Sequence, residues 1–406
     1  MELAGWRGGD PMSTEDVLAV LALEDATQFP PGDRFMYSNS GFTLLAEIVE
    51  AISGQRFAEF VAQEIFAPLG MNDSLIATNP DQIIPERAFA YRMSEDERGF
   101  RDFSPRLYVA GPTSLFTTSR DMAKWLENAP ITEPFAGLLE KMARPHELNS
   151  GLEIEVGLGC FLMGWQGKRY VFHTGSDRGF AAAFLLQREG RLGSVILTNH
   201  PRNDVRPAVK CLLEAAGLVE KLGELVHEPN KGISDEYEGT YVSDLGEIRE
   251  IRSGKDQALT MFWVVEYPLA EKAPDRFATS GGEELLFQRN SSGRIEAVVL
   301  AAPTGTSSWQ KLAALVTPPV DSDWSGTYLV SSTQTLLRLS QRDPETIELE
   351  IPKQPPIRFK AVGGDLFSSE EECIWLRYLP EDPKQLMLSM PRCLNVKLTL
   401  QEPLHQ

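Results

Sequence analysis

Two short polar motifs in the first half of the chain contain side chains that can transfer protons or bind a substrate. Tyr37-Ser38-Asn39 stands just before a helical pattern, and His173-Thr174-Gly175-Ser176 stands at the end of a strand pattern. Each motif alone is weak, because a chain of this composition gives about 0.2 chance matches to Tyr-x-Asn and about 0.4 to His-x-Gly. Without further context, we would interpret Tyr37 as a half-buried loop tyrosine and His173 as a histidine that ends a strand.

The residues around these motifs form a longer ordered pattern. Residues 31–45 read PGDRFMYSNSGFTLL, and the pattern continues to Gly54. It is followed by Pro68-Leu69-Gly70-Met71, by a Gly-rich segment at Gly111–Trp125, and by His173-Thr174-Gly175-Ser176 with Gly179-Phe180. In this order they closely resemble the serine β-lactamase-related family, which includes class C β-lactamases, D-alanyl-D-alanine carboxypeptidases, D-aminopeptidases and some esterases. The resemblance covers roughly residues 1–220, with His173 where true β-lactamases have a lysine.

The resemblance implies acyl transfer through a serine ester, in which a Ser-x-x-Lys pair on a helix supplies the nucleophile and its base. Tyr37 would share the acid/base work, and Asn39 would orient the substrate amide and the lysine. The strand with His173, Thr174 and Gly175 would lie along the substrate, and Gly175 would let the two backbones approach. The N–H of Ser176 would be one of two oxyanion donors, the other being the nucleophile's own N–H. This chemistry needs no cofactor and no metal.

The Ser-x-x-Lys pair is not found where the resemblance requires it. Ser13 is the one serine before the Tyr37 motif, and Thr14-Glu15-Asp16 follows it. The single Ser-x-x-Lys of the chain, Ser308-Trp309-Gln310-Lys311, comes after both motifs and outside any helical pattern. We interpret this late match as a coincidence. The sequence as given is therefore expected to lack its nucleophile, the adjacent base and one oxyanion donor, and to be inactive.

Three hypotheses account for this departure. In the first, the polypeptide begins upstream of Met1, and the sequence is a truncated gene model of an active hydrolase; the missing segment would cover apolar surface that a stable domain buries. In the second, the chain is a non-catalytic homologue that keeps the cleft as a binding site. In the third, the β-rich second half binds an apolar ligand, and the first domain is a remnant. Translation of the DNA upstream of Met1 would separate the first hypothesis from the others.

A histidine at position 173 bears on the substrate class of the complete enzyme. A lysine there is a permanent cation suited to a substrate carboxylate, whereas histidine is mostly neutral at pH 7 unless a partner holds its proton. We therefore predict weak use of penicillins and of C-terminal D-Ala carboxylates. D-Amino-acid amides, short peptides with free amino ends, and small esters are the expected substrates. A D-aminopeptidase or esterase activity is thus favoured over a β-lactamase activity.

Periodic patterns predict the elements that would position these motifs. Helical periods begin after Ser13, run from Phe42 to Gly54 and from Phe57 to Pro68-Leu69-Gly70, and begin again after Thr118. Strand patterns follow at Gly159–Gly164, Arg169–His173, Ala181–Gln187 and Ser194–Thr198. Helices before a run of antiparallel strands indicate the α+β class. We predict a β-lactamase/transpeptidase-like α/β sandwich with a mainly antiparallel sheet, incomplete at its N-terminus.

The second half of the chain consists of short strand patterns with an internal repeat. Tyr237-Glu238-Gly239-Thr240-Tyr241 recurs as Trp324-Ser325-Gly326-Thr327-Tyr328, and Arg276-Phe277 with Gly281-Gly282 recurs as Arg358-Phe359 with Gly363-Gly364. This pattern predicts two small antiparallel β-barrels of about eight strands each, a layout that resembles the D-aminopeptidases. We expect the barrels to pack against the first domain. The predicted domains are residues 1–228, 235–316 and 322–406.

Charge and composition limit the possible partners. The 406 residues include 39 Lys and Arg against 58 Asp and Glu, a formal net charge of −19 that argues against nucleic acid. No run approaches 18 apolar residues, so no membrane span is expected. The first residues lack a secretory signal, which predicts a cytoplasmic protein if Met1 is the true start. The expected partner is a small-molecule or short-peptide substrate, and the sequence gives no indication of oligomeric state.

The cysteines and histidines do not form metal or disulfide patterns. Cys160, Cys211, Cys373 and Cys393 are far apart, which favours reduced thiols over a disulfide framework. The five histidines have no His-x-x-x-His or His-Glu spacing. A zinc enzyme is therefore disfavoured.

Overall fold

The computed structural model describes most of the chain as two compact units. The described residues are 10–24, 26–94, 99–165, 168–187, 192–199, 235–244, 246–253, 259–262, 266–279, 283–302, 304–312, 323–330, 332–343, 345–363, 365–369, 374–379, 382, 384–390 and 393–401. We call the unit within Gly9–Leu21 and Ser38–Gly223 the sheet unit. The unit that comprises Ala22–Tyr37 and the chain from Glu224 onward is the barrel unit.

The helices of the sheet unit form where the sequence predicts them, with one addition. They are α1 (Thr14–Leu21), α2 (Asn39–Ser53), α3 (Phe57–Val61), a π-helical turn (Ala62–Phe66), α4 (Ala67–Leu69), α5 (Ser119–Asn128) and α6 (Phe135–Met142). Ser13 Oγ accepts from the Asp16 N–H (3.3 Å) while Asp16 Oδ2 accepts from the Ser13 N–H (2.9 Å), which is the reciprocal cap that the sequence indicates. Helix α6 was not predicted, although Phe135, Leu138, Leu139 and Met142 have helical spacing.

Eight short strands of the sheet unit form four two-stranded pairs. The strands are β1 (Met12–Ser13), β2 (Leu75–Ile76), β3 (Tyr91–Met93), β4 (Phe100–Asp102), β5 (Leu107–Tyr108), β6 (Leu115–Phe116), β7 (His146–Glu147) and β8 (Glu153–Ile154). β1 pairs with β5 in parallel, and the other pairs, β2–β6, β3–β4 and β7–β8, are antiparallel. Most of these short strands lie between the helices and the main sheet in the order of the chain.

In the part of the chain that the structure describes, the main sheet has four antiparallel strands, as the sequence predicts. They are β9 (Phe161–Trp165), β10 (Lys168–Asp177), β11 (Phe180–Gln187) and β12 (Leu192–Thr198), in the order β12-β11-β10-β9. Helix α5 packs on β12, and the ring of Trp125 meets Phe184 edge-on at 5.5 Å between centroids. The bounds of the strands differ from the prediction most at β10, which continues past His173 to Asp177.

The barrel unit contains two closed barrels of eight antiparallel strands, which confirms the predicted architecture. The first consists of β13 (Gly239–Ser243), β14 (Ile248–Ser253), β15 (Leu259–Phe262), β16 (Glu266–Ala273), β17 (Arg276–Thr279), β18 (Glu284–Arg289), β19 (Ile295–Ala302) and β20 (Gly305–Lys311). The second consists of β21 (Gly326–Val330), β22 (Thr335–Asp343), β23 (Thr346–Glu350), β24 (Ile357–Gly363), β25 (Leu366–Ser369), β26 (Trp375–Tyr378), β27 (Gln385–Met390) and β28 (Cys393–Leu400). Pairing of β13 with β20 and of β21 with β28 closes them.

The two barrels repeat one arrangement of rings. Tyr241 in the first strand of its barrel donates its hydroxyl to the Tyr237 carbonyl (2.8 Å), and Tyr328 donates to the Trp324 carbonyl (3.0 Å). The Tyr237 ring packs on Phe277 and Phe287, while the Trp324 ring packs on Phe367 and Tyr378. The repeat read from Tyr237–Tyr241 and Trp324–Tyr328 is therefore confirmed.

The second repeat match read from the sequence is wrong. Arg276-Phe277 begins β17, the fifth strand of its barrel, whereas Arg358-Phe359 lies in β24, the fourth strand of the other. The residue of the second barrel that corresponds to Phe277 is Phe367, which lies in the fifth strand β25 and packs on Trp324 as Phe277 packs on Tyr237. Short sequence identities between barrel strands do not establish register, because similar short patterns of buried and exposed residues recur in several strands.

Candidate functional site

The His173–Ser176 motif lies on the part of β10 that extends beyond its neighbour β9. β9 pairs with β10 from Lys168 to Phe172, whereas β11 pairs with β10 from Tyr170 to Asp177. Among the described residues, the last five residues of β10 therefore have a strand partner only on the β11 side. Thr174, Gly175 and Ser176 are exposed. Such an edge offers backbone N–H and C=O groups to which an extended ligand can add as a strand.

The His173 ring is held by a hydrogen bond and by an aromatic neighbour. Its Nδ1 lies 2.6 Å from the Thr174 carbonyl oxygen, and its ring lies 5.4 Å from the Phe161 ring, tilted by 34°. Because a carbonyl oxygen can only accept, Nδ1 must carry the proton and donate. This proton is therefore not available to a substrate carboxylate, unlike the protons of a lysine ammonium.

Packing within the sheet does not explain the glycine of the motif. A Cβ at Gly175 would meet the Ala182 Cβ at 3.8 Å, which is an ordinary contact. Ala181, Ala182 and Ala183 face the motif from β11, so small side chains line this part of the sheet. A larger residue at position 175 would instead protrude where the strand is exposed, and there it would obstruct a ligand.

A tight turn fixes the end of β10 immediately after the motif. A Cβ at Gly179 would lie 2.2 Å from the Ala90 Cβ, so only glycine allows this approach. The guanidinium of Arg178 lies over the Phe103 ring at 4.5 Å, and that of Arg92 lies over the same ring at 4.9 Å. Burial raises the pKa of Asp177, an effect that the nearby Arg178 opposes. The sequence does not indicate this support, because only the fold brings Ala90 and Phe103 to the turn.

The Tyr37-Ser38-Asn39 motif stands at the first turn of α2, and its middle residue caps the helix. Ser38 has an extended backbone, and its Oγ accepts from the Gly41 N–H at 3.1 Å. Asn39 is the first helical residue and is exposed, and its carbonyl accepts from Thr43 Oγ1 at 3.3 Å. Tyr37 is half-buried and is the last residue of the segment that belongs to the barrel unit.

The Gly-rich segment is in contact with the start of α2. A Cβ at Gly111 would lie 2.2 Å from the Phe42 carbonyl oxygen, and the φ angle of Gly111 is +99°, a region that favours glycine. Gly159 likewise approaches the Phe42 ring, with its Cβ position 3.5 Å from the ring carbons. Both glycines belong to the sheet unit, and they hold the N-terminal turn of α2 against the rest of that unit.

The late Ser-x-x-Lys sequence is part of a barrel strand. Ser308 and Lys311 lie on β20, where residues three apart point to opposite faces. Trp309 between them is buried in the barrel, and the Lys311 ammonium donates to the Glu236 carbonyl at 2.6 Å. These two side chains therefore cannot act on each other as nucleophile and base.

The structure also locates two of the four cysteines. Cys160 and Cys393 are free thiols, and burial raises the pKa of both. Cys211, Cys373, His200 and His227 lie outside the described residues. In the part of the chain that the structure describes, no three His, Cys, Asp or Glu side chains are grouped closely enough to hold a metal ion. No described helix is both long and apolar enough to cross a bilayer.

Comparison with protein families assigns the first half of the chain to a known family. The family model described as Beta-lactamase matches residues 3–216. Two relatives are the D-aminopeptidases of Brucella anthropi and of Brucella canis, each 26% identical over 193 residues, which is 47% of this chain. The aligned region covers 36% and 37% of those enzymes. The chain therefore spans about a third of the length of the curated relatives it matches.

Solved structures with similar folds include a penicillin-binding protein homologue and an amidase. The octameric penicillin-binding protein homologue from Pyrococcus abyssi is 18% identical, with a TM-score of 0.47, and the match covers 88% of this chain and 73% of that one. The D-amino acid amidase from Ochrobactrum anthropi SV3 is 20% identical, with a TM-score of 0.43, over 52% of this chain and 66% of that one.

Proposed function

Because this chain belongs to the beta-lactamase family, we propose that it provides the substrate-binding and proton-transfer groups of a serine acyl-transfer site for small amides and esters. D-Amino-acid amides, short peptides with a free amino end and small esters are the proposed substrates, ahead of β-lactams. The observation that carries the proposal is the exposed edge of β10 at His173–Ser176, where an extended substrate can pair with the backbone.

The proposed reaction uses that edge to hold the scissile carbonyl. The Ser176 N–H donates to the carbonyl oxygen and stabilises the oxyanion that forms when a serine hydroxyl attacks the carbon. Tyr37 takes part in moving the hydroxyl proton to the departing amine or alcohol, and Asn39 orients the substrate amide. Water then attacks the ester, the serine regains its proton, and the acid is released. The serine and its lysine are not among the residues before Tyr37 in the 406-residue sequence.

The substrate class is supported by charge and by relatives. The Nδ1–H of His173 is donated to the Thr174 carbonyl, so this proton is not available to a substrate carboxylate. The net charge of −19 also favours amine-bearing molecules over anions. The D-aminopeptidase relatives match at 26% identity, so they support this substrate class without defining it.

A second candidate function is ligand binding without turnover. It is favoured by a specific observation, namely that the one Ser-x-x-Lys of the sequence lies on the barrel strand β20. In this case the β10 edge binds an amide or a short peptide and releases it unchanged. Binding inside a barrel is a weaker alternative, because buried aromatic side chains such as Phe277 and Trp309 fill the first barrel and Tyr328 and Phe359 fill the second.

Calorimetry on the 406-residue chain tests the proposed binding. We expect D-alaninamide to bind and D-alanyl-D-alanine to bind more weakly. Gly175→Val places a side chain on the exposed part of β10 and should abolish binding. Gly164→Val is the matched control, since Gly164 is a strand glycine of β9 with no atom within 4 Å of its Cβ position. Failure of the wild-type chain to bind any amide or ester would overturn the proposal.

Adduct formation separates the two candidate functions. The chain is treated with a fluorophosphonate, with p-nitrophenyl acetate and with nitrocefin, and its intact mass is measured. Acyl transfer by this chain alone would give a covalent adduct on a serine, which would refute the prediction that the 406-residue sequence lacks the nucleophile. If a longer reading frame encodes an upstream Ser-x-x-Lys, the longer protein should form the adduct and should lose it when that serine is replaced by alanine.

A further inference from the structure

A segment of the barrel unit runs from one barrel to the other immediately before the Tyr37 motif. We call this segment, Gln28–Tyr37, the strap. At its start, Gln28 Oε1 accepts a hydrogen bond from the Leu394 N–H of β28 at 3.1 Å. Near its end, Arg34 donates from both terminal nitrogens to the Asp244 carboxylate, with 2.9 Å between Nη1 and Oδ1. Asp244 follows β13, so these two contacts tie the strap to both barrels.

Both anchors border the seam where the barrels pack together. Val242 and Ile248 of the first barrel form one buried cluster with Leu366 and Trp375 of the second. Beside this cluster, a Cβ at Gly246 would lie 2.8 Å from Asn395 Oδ1, next to the Leu394 anchor. The strap therefore crosses a closely packed junction, and its two attachment points belong to barrels that hold each other.

A rigid turn lies between the two anchors. The Asp33 N–H donates to the Pro30 carbonyl at 3.2 Å, and Gly32 has a φ angle of +85°. Pro31 at the second position and Gly32 at the third are the residues that a type II turn requires. Two prolines and this turn leave little freedom between Gln28 and Arg34. The anchors consequently act on one stiff piece of chain.

No residue of the strap is fully buried. Gln28, Pro30, Asp33 and Arg34 are exposed, and Phe29, Phe35, Met36 and Tyr37 are only partly covered. Because no residue of the strap is fully buried, its polar attachments contribute to fixing where it lies. The two parallel hydrogen bonds of an Arg–carboxylate pair also define its direction, which a single contact does not.

We infer that Asp244 is a positioning residue for Tyr37, acting through Arg34 and the strap, with Gln28 as the second anchor. Arg34 is three residues from Tyr37. The Arg34–Asp244 pair therefore constrains the position of the backbone from which the Tyr37 side chain extends. The barrels thereby acquire a role in positioning Tyr37, because they hold the segment that carries it. The role of Tyr37 in acyl transfer rests on the proposed function. The dependence of the position of Tyr37 on Asp244 is independent of the proposed function.

Fluorine NMR of the full chain labelled with 3-fluorotyrosine tests this inference. The Tyr37 resonance is assigned by its loss in Tyr37→Phe. In Asp244→Asn we expect that resonance to shift or broaden, and we expect trypsin to cleave after Arg34 about two to five times faster, because exposed pairs of this kind stabilise weakly. Glu284→Gln is the matched control, since it removes an equally exposed ion pair with Arg276 in the same barrel.

Two further variants keep the test decisive. Arg34→Lys retains the charge but loses the two-pronged contact, so it should reproduce part of the effect even if Asp244→Asn perturbs the barrel. Exchange of the charges, Arg34→Asp with Asp244→Arg, should restore the wild-type resonance. An unchanged Tyr37 resonance and unchanged cleavage in Asp244→Asn and Arg34→Lys would overturn the inference.

The outcome is separate from that of the proposed function. If the Tyr37 resonance responds to Asp244→Asn but no amide or ester binds, the strap inference stands and the acyl-transfer proposal falls. If amides bind and the resonance does not respond, the strap inference alone is overturned.

Discussion

His173 is the residue whose replacement most directly tests the charge of the substrate. Its Nδ1–H is bound to the Thr174 carbonyl, and its ring packs near Phe161. We expect His173→Lys to bind D-alanyl-D-alanine several-fold more tightly, since one favourable exposed ion pair contributes up to about 1 kcal/mol. The affinity for D-alaninamide should not change. Isothermal titration calorimetry measures both.

The control for this change is His146→Lys, which adds the same charge at an exposed position of β7. It should leave both dissociation constants unchanged. Equal tightening of the amide and the carboxylate in His173→Lys would contradict the charge argument.

Glu247 supplies a prediction about pH. Burial raises the pKa of its carboxyl, an effect that Arg249 and Arg34 oppose. The unfolded carboxyl ionises first as pH rises, so this residue lowers stability progressively from the ordinary carboxyl pKa upward through its raised value in the folded state. Glu247→Gln should therefore raise the urea midpoint of the barrel unit at pH 7 and have little effect near pH 4. The exposed Glu345→Gln is the comparison variant, and an equal gain at both pH values would refute the titration argument.

Much of the residue-scale detail could be predicted from local chemistry. The caps at Ser13 and Thr118 and the left-handed Gly54 follow from neighbouring residues alone, and the structure has all three. The support of the turn after Asp177 could not be predicted in this way, because Ala90 and Phe103 come from distant parts of the chain. The roles of Tyr37, Asn39 and His173–Ser176 stay predictions.

At the scale of the element, Gly111 tests how the start of α2 is held. Its φ angle is +99°, and a Cβ would lie 2.2 Å from the Phe42 carbonyl oxygen. Gly54 also has a positive φ, +70°, but nothing lies within 4 Å of its Cβ position. We expect Gly54→Ala to cost about 1 kcal/mol from backbone strain, and Gly111→Ala to cost at least about 2 kcal/mol more.

Urea unfolding of the sheet unit, followed by circular dichroism and tryptophan fluorescence, measures both changes. Equal losses in the two variants would show that strain alone matters and that the approach of Gly111 to α2 is not tight.

The elements themselves were largely predictable, and their extents and faces were less so. Periodicity predicts α2, yet the structure exposes its large residues Leu44, Leu45, Ile48 and Ile52, the last to 82%, while the small Thr43 and Ala46 are buried. A period identifies an apolar face but does not identify what covers it. The extension of β10 was missed because Thr174-Gly175-Ser176 carries no apolar alternation.

At the scale of the whole molecule, the net charge of −19 predicts a dependence of stability on salt. Like charges repel most in the compact state, and raising the ionic strength from 0.01 to 0.15 M shortens the screening length from about 30 to about 8 Å. The urea midpoint at pH 7 should therefore rise with sodium chloride over this range. A midpoint that is flat or that falls would mean that attractive ion pairs, such as those of Arg289 with Glu236 and Asp275, outweigh the repulsion.

The unequal lengths of β9 and β10 have a consequence for how copies of this chain behave when concentrated. An edge that can accept a substrate can equally accept a strand from another molecule, which is how sheets begin to aggregate. Here the available edge is only five residues long, contains a glycine, and ends at the charged turn Asp177-Arg178. These features disfavour extended strand pairing between two molecules, but they leave room for a short ligand. The geometry proposed for recognition thus also limits self-association.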